Sequence, residues 1–185
     1  MIRLLTAAIL AIGVGFGVSA AEPENTLMIE VEGQANGVIE IELLPELAPA
    51  HVERIKILAR DGVYNDVVFH RVIKGFMAQT GDVKFGKREG FKQRYAGQGG
   101  SNYPDLPAEF SSEPFVKGVV GMARSQNPNS ANSQFFIMFA PAPNLDGQYT
   151  VFGRVVEGQD IVDCIKLGTR SANSAVYEPD VIKSV

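Results

Sequence analysis

The residues that could do chemistry are concentrated in two stretches, and the first is residues 69–82, FHRVIKGFMAQTGD. If this stretch begins as a β-strand, Phe69, Arg71 and Ile73 share one face. The guanidinium of Arg71 then stands among apolar groups, where a cation usually has a partner or a task. Arginine stays charged at any working pH and offers several N–H donors in a planar fork. We therefore expect a fixed cationic hydrogen-bond donor here.

The second stretch, residues 122–153, combines a polar loop, a Gln-Phe-Phe strand and an Asp-Gly turn. Neither stretch contains a paired nucleophile and base. A secreted hydrolase stays open as an alternative, although no Gly-x-Ser-x-Gly elbow supports it. It would pair His70 with one of three serines: Ser125, Ser130 or Ser133.

The two histidines are predicted to be structural. His70 alternates with Arg71, so it faces the opposite side between Val68 and Val72, where a hydrogen-bonded core histidine is the preferred interpretation. His51 is predicted on the exposed flank of the first helix. Two histidines placed so differently argue against a zinc site.

The segments FHRVIKGFMAQTGD and SQFFIMFAPAPNLDGQYTVFG closely resemble the two signature regions of the cyclophilin family. The resemblance runs in order from about Thr26 to the C-terminus. It implies a mainly β fold, a closed eight-stranded antiparallel barrel capped by two α-helices, with the active groove on its outer surface. It also implies peptidyl-prolyl cis/trans isomerase activity without metal or cofactor, on proline-containing unfolded or extended polypeptides. We expect a monomer.

The resemblance also implies roles for ten residues, carried over by motif position. Arg71 corresponds to the catalytic arginine and Gln79 to the group that holds it, while Tyr149 occupies a position that is often histidine. The residues that would form the proline pocket are Phe76, Met77, Phe136 and Leu145. Those at positions that bind the substrate backbone are Ala123, Arg124 and Gln134.

The sequence departs from the common family pattern at four positions: Lys74, Thr80, Arg124 and Asn144. Arg124 stands where asparagine is common, so a charged donor would replace an amide and sequence preference could shift. Asn144 stands where many eukaryotic members have a tryptophan that contributes to cyclosporin binding. We therefore expect weak cyclosporin binding with activity retained.

The elements that must position these residues are short. Strands are predicted over 27–31 and 38–43, joined by the hairpin signal Asn36-Gly37, and an amphipathic helix from Pro49 to Asp61. Further strands are predicted at 67–73, 76–79, 118–123, 134–139, 149–155 and 181–185, with a second helix at 158–167. Many short strands with two helices are typical of a barrel or a sandwich. Residues 84–103, rich in glycine and cations, are predicted to form a surface loop.

Residues 1–21 are typical of a secretory signal peptide, because Arg3 precedes an apolar run that ends in small residues. Cleavage after Ala20 and after Ala21 both fit, and residues 22–185 would form the isomerase domain. An uncleaved anchor and a buried helix are the alternatives, although the run is short and glycine-containing. We therefore expect an exported bacterial protein that is periplasmic or secreted. It should have no stable membrane association once the signal peptide is cleaved. Cys164 is the single cysteine, so no intramolecular disulfide can form, and a buried thiol is predicted.

The composition, 45% hydrophobic and 21% charged, is ordinary for one globular domain. A formal net charge of -4 gives no electrostatic reason to expect nucleic acid or an anionic membrane as a partner. The basic loop within residues 84–103 is either a solvated charge run, which is the preferred interpretation, or a docking patch for acidic client segments. The main competitor to an isomerase is a binding module that holds proline-containing segments.

Overall fold

A computed structural model describes residues 22–169 and 173–185, so the predicted signal peptide at 1–21 lies outside the described residues. The described chain forms one mainly β unit with two α-helices and two short 3-10 turns, Pro23–Asn25 and Pro143–Leu145. The strands are β1 Thr26–Glu32, β2 Gly37–Leu43, β3 Val67–Val68, β4 Arg71–Ile73, β5 Met77–Thr80, β6 Val119–Met122, β7 Phe135–Met138, β8 Val151–Glu157 and β9 Val181–Ser184. The helices are α1 Pro49–Arg60 and α2 Gln159–Cys164.

All nine strands belong to one curled antiparallel sheet with the order β3-β9-β1-β2-β8-β6-β7-β5-β4. The predicted closed eight-stranded barrel is therefore wrong. The sheet is an open, curled half-barrel, and its two edge strands, β3 and β4, follow each other along the chain with only two residues between them.

The extra strand arises because the predicted single strand 67–73 is divided in two. Val67 and Val68 pair with β9, whereas Arg71–Ile73 pairs with β5. Between them the Phe69 N–H donates to the carbonyl of Asp180 at 2.9 Å. Phe69 and Val72 both enter the main core, so the predicted alternation, with Phe69 and Arg71 on one face, is wrong. A short segment that serves two sheet edges cannot keep one strand's alternation.

The predicted N-terminal hairpin is confirmed, because β1 and β2 pair antiparallel with Val31 opposite Gly37. Gly37 has a φ of 150°, a conformation that favours glycine. Helix α1 begins at Pro49, where a missing N–H costs no helical hydrogen bond, and buries Val52 and Ile55 against the sheet.

The prediction that His51 is exposed is wrong, because its side chain is fully buried on α1. Its Nδ1 lies 2.6 Å from Glu109, whose carboxylate also accepts the N–H groups of Ala50 and His51. Glu109 therefore satisfies the free amides at the start of α1 from a distant loop. This partner lies 58 residues away along the chain, so the helix pattern alone could not indicate it.

Helix α2 is shorter than predicted and ends at Cys164. Val162 and Ile165 are buried, whereas Cys164 is exposed, so the predicted buried thiol is wrong. Ile165 has an extended backbone, φ −56° and ψ 133°, and this change of direction lets it enter the core in place of its neighbour. Among the described residues, no helix is long and apolar enough to span a membrane.

The buried apolar residues form two clusters. The main cluster joins residues of the sheet and of α1, and Ile29, Ile55 and Phe152 belong to it. The second contains Met77, Phe136 and Leu145, with Phe76 and Tyr149 packed at its border. The second cluster therefore supplies the apolar residues of the candidate site.

Candidate active site

Nine of the ten predicted site residues line one cavity of about 130 Å³, here called the apolar cavity. Its lining residues are Arg71, Phe76, Met77, Gln79, Ala123, Arg124, Phe136, Leu145 and Tyr149. The tenth, Gln134, lines an adjoining polar cavity of about 480 Å³ that shares Gln79, Ala123 and Arg124. The structure thus brings together all ten residues, although they come from four separate segments of the chain.

The floor of the apolar cavity is held by sheet pairing. Met77 lies opposite Met138, and Gln79 lies opposite Phe136, in the ladder between β5 and β7. The rings of Phe136 and Tyr149 meet edge to face, with centroids 5.8 Å apart. The cavity is a few times larger than the roughly 30 Å³ that one liquid water occupies. It is therefore the size of one small apolar ring.

Arg71 stands at the polar rim of this cavity as the first of four connected groups. It lies opposite Gln79 in the β4–β5 ladder and donates to Gln79 Oε1 at 3.4 Å. Gln79 donates to Gln134 Oε1 at 3.0 Å, and Gln134 donates to the carbonyl of Gly99 at 2.8 Å. Amides with both ends engaged cannot turn freely. The guanidinium is therefore orientated by a relay that ends on backbone.

Arg71 retains unused donor capacity. Its Nε is buried and has no hydrogen-bond partner within residues 22–169 and 173–185. Burial lowers the pKa of its guanidinium, and the nearby Tyr149 opposes that shift. Arginine stays protonated in proteins despite such shifts. The site therefore offers a charged donor toward the apolar cavity.

Arg124 is held by backbone carbonyls of two loops. It donates from Nε and from a terminal nitrogen to the carbonyl of Gln148, at 3.1 and 2.7 Å, and to the carbonyl of Ser125 at 2.9 Å. Its guanidinium carbon lies 4.3 Å from the centroid of the Tyr149 ring. A cation over an aromatic face is attracted to it. Arg124 thus supports the Tyr149 wall, and its predicted contact with a substrate carbonyl stays a prediction.

Asp82 is the site residue that the sequence did not reveal. Its buried carboxylate accepts four backbone N–H groups, from Lys84 and Phe85 on one oxygen and from Gly97 and Gly99 on the other, at 2.8–3.1 Å. It thereby joins both ends of the predicted loop and places the Gly99 carbonyl that Gln134 uses. The sequence signal that could have indicated this role is an aspartate that follows a glycine and precedes a long polar loop.

His70 is buried as predicted, beside the backbone of Val68, and no side chain among the described residues hydrogen-bonds its ring nitrogens. Burial lowers its pKa to about 4, while Asp82 and the backbone of Val68 raise it and Arg71 lowers it. None of the candidate serines contacts it. Ser133 is buried and donates to Gly81, whereas Ser125 and Ser130 bind each other. The arrangement that a hydrolase needs does not form.

We expect the unfolding free energy to fall as the pH drops from about 6.5 toward 4. In the unfolded chain this histidine is protonated near pH 6.5, whereas the buried His70 of the folded protein is protonated only near pH 4. The contribution of His70 to the unfolding free energy is therefore fully present above pH 6.5 and is lost as the pH falls toward 4. At pH 5 the loss due to His70 is about 2 kcal/mol. Urea unfolding of the wild type and His70→Leu at pH 7.5 and pH 5 measures it. Equal losses in both proteins would contradict this origin, since His51 and the carboxylates titrate in both.

Solved structures show which class of protein this fold and cavity represent. A cyclophilin from Hirschia baltica superposes with a TM-score of 0.72 at 28% identity, covering 89% of this chain and 74% of that one. A cyclophilin-type isomerase from Cryptosporidium parvum gives a TM-score of 0.71 at 24% identity, covering 86% and 96%. The structure therefore has the cyclophilin fold.

Sequence comparisons identify the family. Residues 26–185 match the model of the family described as cyclophilin type peptidyl-prolyl cis-trans isomerase/CLD. A Brucella suis protein named "Probable peptidyl-prolyl cis-trans isomerase" is 60% identical over 182 residues, which cover 97% of this chain and 91% of the relative. The chain belongs to the cyclophilin-type peptidyl-prolyl cis-trans isomerase family, and it is an enzyme.

Proposed function

We propose that the chain accelerates rotation about Xaa-Pro bonds in extended or unfolded polypeptides, with Arg71 as the group that stabilises the twisted transition state. The observation that carries the proposal is the ring-sized apolar cavity with the orientated guanidinium of Arg71 at its rim. The Cryptosporidium parvum cyclophilin was crystallised in the presence of the dipeptide Ala-Pro. That choice of ligand supports a proline-containing substrate for this family.

The mechanism follows from the electronic structure of the amide. Rotation has a barrier of about 18–20 kcal/mol because amide resonance is lost in the twisted state. The prolyl nitrogen then becomes pyramidal and regains a lone pair. An N–H donor that Arg71 directs at this lone pair binds the twisted state more strongly than either planar state, which lowers the barrier.

The other site residues make that donor effective. Phe76, Met77, Phe136, Leu145 and Tyr149 surround the pyrrolidine ring and exclude water, which strengthens the new hydrogen bond. Gln79 keeps the guanidinium in place during the rotation. Since no covalent bond is made or broken, the mechanism requires neither nucleophile nor general base.

A binding module that only holds proline-containing segments is the second candidate, and the polar cavity beside Gln134 favours it. A protease-coupled isomerisation assay on an Ala-Pro peptide, run beside a measurement of peptide affinity, distinguishes the two. Fast isomerisation at catalytic protein concentrations supports the enzyme mechanism. Affinity without acceleration would leave binding as the function.

The compartment is a further part of the proposal. Its support is the apolar run and small-residue ending within residues 1–21, which favour export to the periplasm or medium and a role in folding exported proteins. Mass spectrometry of the full-length gene product, expressed in a bacterium and fractionated, gives the mature terminus. A terminus at Ala21 or Glu22 in an exported fraction agrees with the proposal, whereas an intact Met1 terminus in the cytoplasm contradicts it.

Cyclosporin is expected to inhibit this enzyme weakly. Asn144 is exposed in the 3-10 turn next to Leu145 of the apolar cavity, where it offers little of the apolar surface that a tryptophan would. Asn144→Trp should lower the inhibition constant at least tenfold. An indole buried against the ligand can add a few kcal/mol to the binding free energy. Inhibition curves for the two proteins check this. An unmodified protein as sensitive as tryptophan-bearing members would refute it.

A further inference from the structure

A third cavity, of about 370 Å³, shares Arg71 and Gln79 with the apolar cavity and is lined by the loop that Asp82 holds. We call it the cationic cavity. The residues that give it its chemical character are His70, Arg71, Gln93, Arg94, Gln98 and Asn173. All of them carry side-chain N–H donors, and two are permanent cations.

The cationic cavity has a charge opposite to that of the whole chain. The formal net charge of the protein is -4, yet no carboxylate is among the described residues that line this cavity. The buried Asp82 lies behind it, but four backbone N–H groups already bind its oxygens. Arg71 and Arg94 therefore belong to a wall that has no carboxylate among its described residues.

Two of the groups at this cavity are buried. His70 is 3% exposed, and because its ring is neutral it carries a single N–H donor. The buried Nε of Arg71 has no partner among the described residues, and within those residues its guanidinium makes one long bond, of 3.4 Å, to Gln79. Buried polar groups are normally hydrogen-bonded, so this donor capacity is available to an acceptor that enters the cavity.

The wall that carries the second cation is held in place. Gln98 donates to the carbonyl of Arg94 at 2.8 Å, and the Arg94 guanidinium lies over the Tyr95 ring, 4.4 Å from its centroid. Gly97 is bound to Asp82 at 2.8 Å and packs against His70, because a Cβ built on it would lie 3.2 Å from His70 Nε2. The guanidinium also donates to the Tyr95 hydroxyl, so Arg94 lies on a supported loop at the edge of the cavity.

We propose that the cationic cavity is a subsite for an aspartate or glutamate side chain of the client polypeptide, within three residues of the isomerised proline. This inference rests on the proposed function. An acidic side chain of the bound polypeptide is favoured over a free anion because the cavity shares Arg71 and Gln79 with the apolar cavity, so a chain seated in one reaches the other. Hydrogen bonds between ionised partners are the strong ones. The subsite would make the enzyme prefer prolines with an acidic neighbour.

The test is a series of Ala-Pro peptides with one glutamate placed in turn at each position, apart from the Ala-Pro pair itself, up to three residues before and after the bond. Each peptide is matched by one with glutamine at that position. At one position or more, kcat/KM for glutamate should exceed that for glutamine about fivefold, and added salt should reduce the ratio. Arg94→Gln should bring the ratio close to one. Lys92→Gln removes a cation of the same loop that does not line the cavity, and it should keep the ratio.

The outcomes separate this inference from the proposed function. Activity on the glutamine peptides with no glutamate preference at any position would overturn the subsite alone. A preference that Arg94→Gln leaves unchanged would do the same. Inorganic phosphate that inhibits both peptide sets equally, without a glutamate preference, would show a free-anion site instead. No activity on any peptide would overturn the proposed function itself.

Discussion

Arg71→Ala is expected to lower kcat/KM for an Ala-Pro peptide by about 10²- to 10³-fold, the usual loss when one transition-state donor is removed. Peptide affinity should change much less, because the ring-binding residues of the apolar cavity stay in place. Arg71→Lys should recover little activity, since an ammonium lacks the planar fork that Gln79 orientates. The protease-coupled assay and a fluorescence titration give the two quantities.

Lys74→Ala is the matched control for this variant. Lys74 is an exposed cation in the turn after β4, outside the apolar cavity, so its loss changes the net charge by the same amount. It should retain near-normal turnover. A fall of less than tenfold in Arg71→Ala would refute the proposed mechanism, and an equal loss of affinity and turnover would make Arg71 a ground-state contact.

Asp82→Ala is expected to destabilise the protein by about 4 kcal/mol, because it leaves four backbone N–H groups without their acceptor and each buried loss costs about 1–3 kcal/mol. Water has partial access to the loop, so the total destabilisation is smaller than the sum of four separate losses. Activity should also fall, since the Gly99 carbonyl that holds Gln134 would no longer be positioned. Urea unfolding at pH 7.5 measures the stability, and kcat/KM is taken where the variant is folded.

Asp82→Asn and Glu89→Ala make the interpretation specific. The asparagine variant keeps one carbonyl oxygen that can accept two of the four N–H groups. It should therefore recover about half of the unfolding free energy that Asp82→Ala loses. Glu89 is an exposed acid of the same loop, and its replacement should change the unfolding free energy by less than about 0.5 kcal/mol. A loss below about 1 kcal/mol in Asp82→Ala would show that the loop does not depend on this carboxylate.

Local signals in the sequence predicted much of the architecture. The Asn-Gly turn, the proline at the start of α1 and the alternation in β1 and β2 depend on neighbouring residues, and the structure confirms them. The resemblance to a family placed ten residues in one groove, and they lie together around Arg71. Motif spacing could do this because a shared fold brings the same positions together.

Features that depend on distant partners were not predictable from local pattern. The run 67–73 reads as one strand, yet its halves pair with β9 and β5, which opens the predicted barrel between Val68 and Arg71. His51 looks like a surface residue of α1, but Glu109 binds it from another loop. A local pattern records which residues prefer a strand or a helix, but not which distant group will satisfy them.

The sequence by itself determined the family and the strand-rich composition, because each is written in contiguous residues or in fixed motif spacing, and it predicted Arg71 as the guanidinium donor. Only the tertiary structure decided that Asp82 holds the loop, that Glu109 binds His51 and that two arginines share a cavity. The reason is physical. Burial and hydrogen bonding are set by groups far apart in the chain, and these long-range contacts exist only once the sheet has curled.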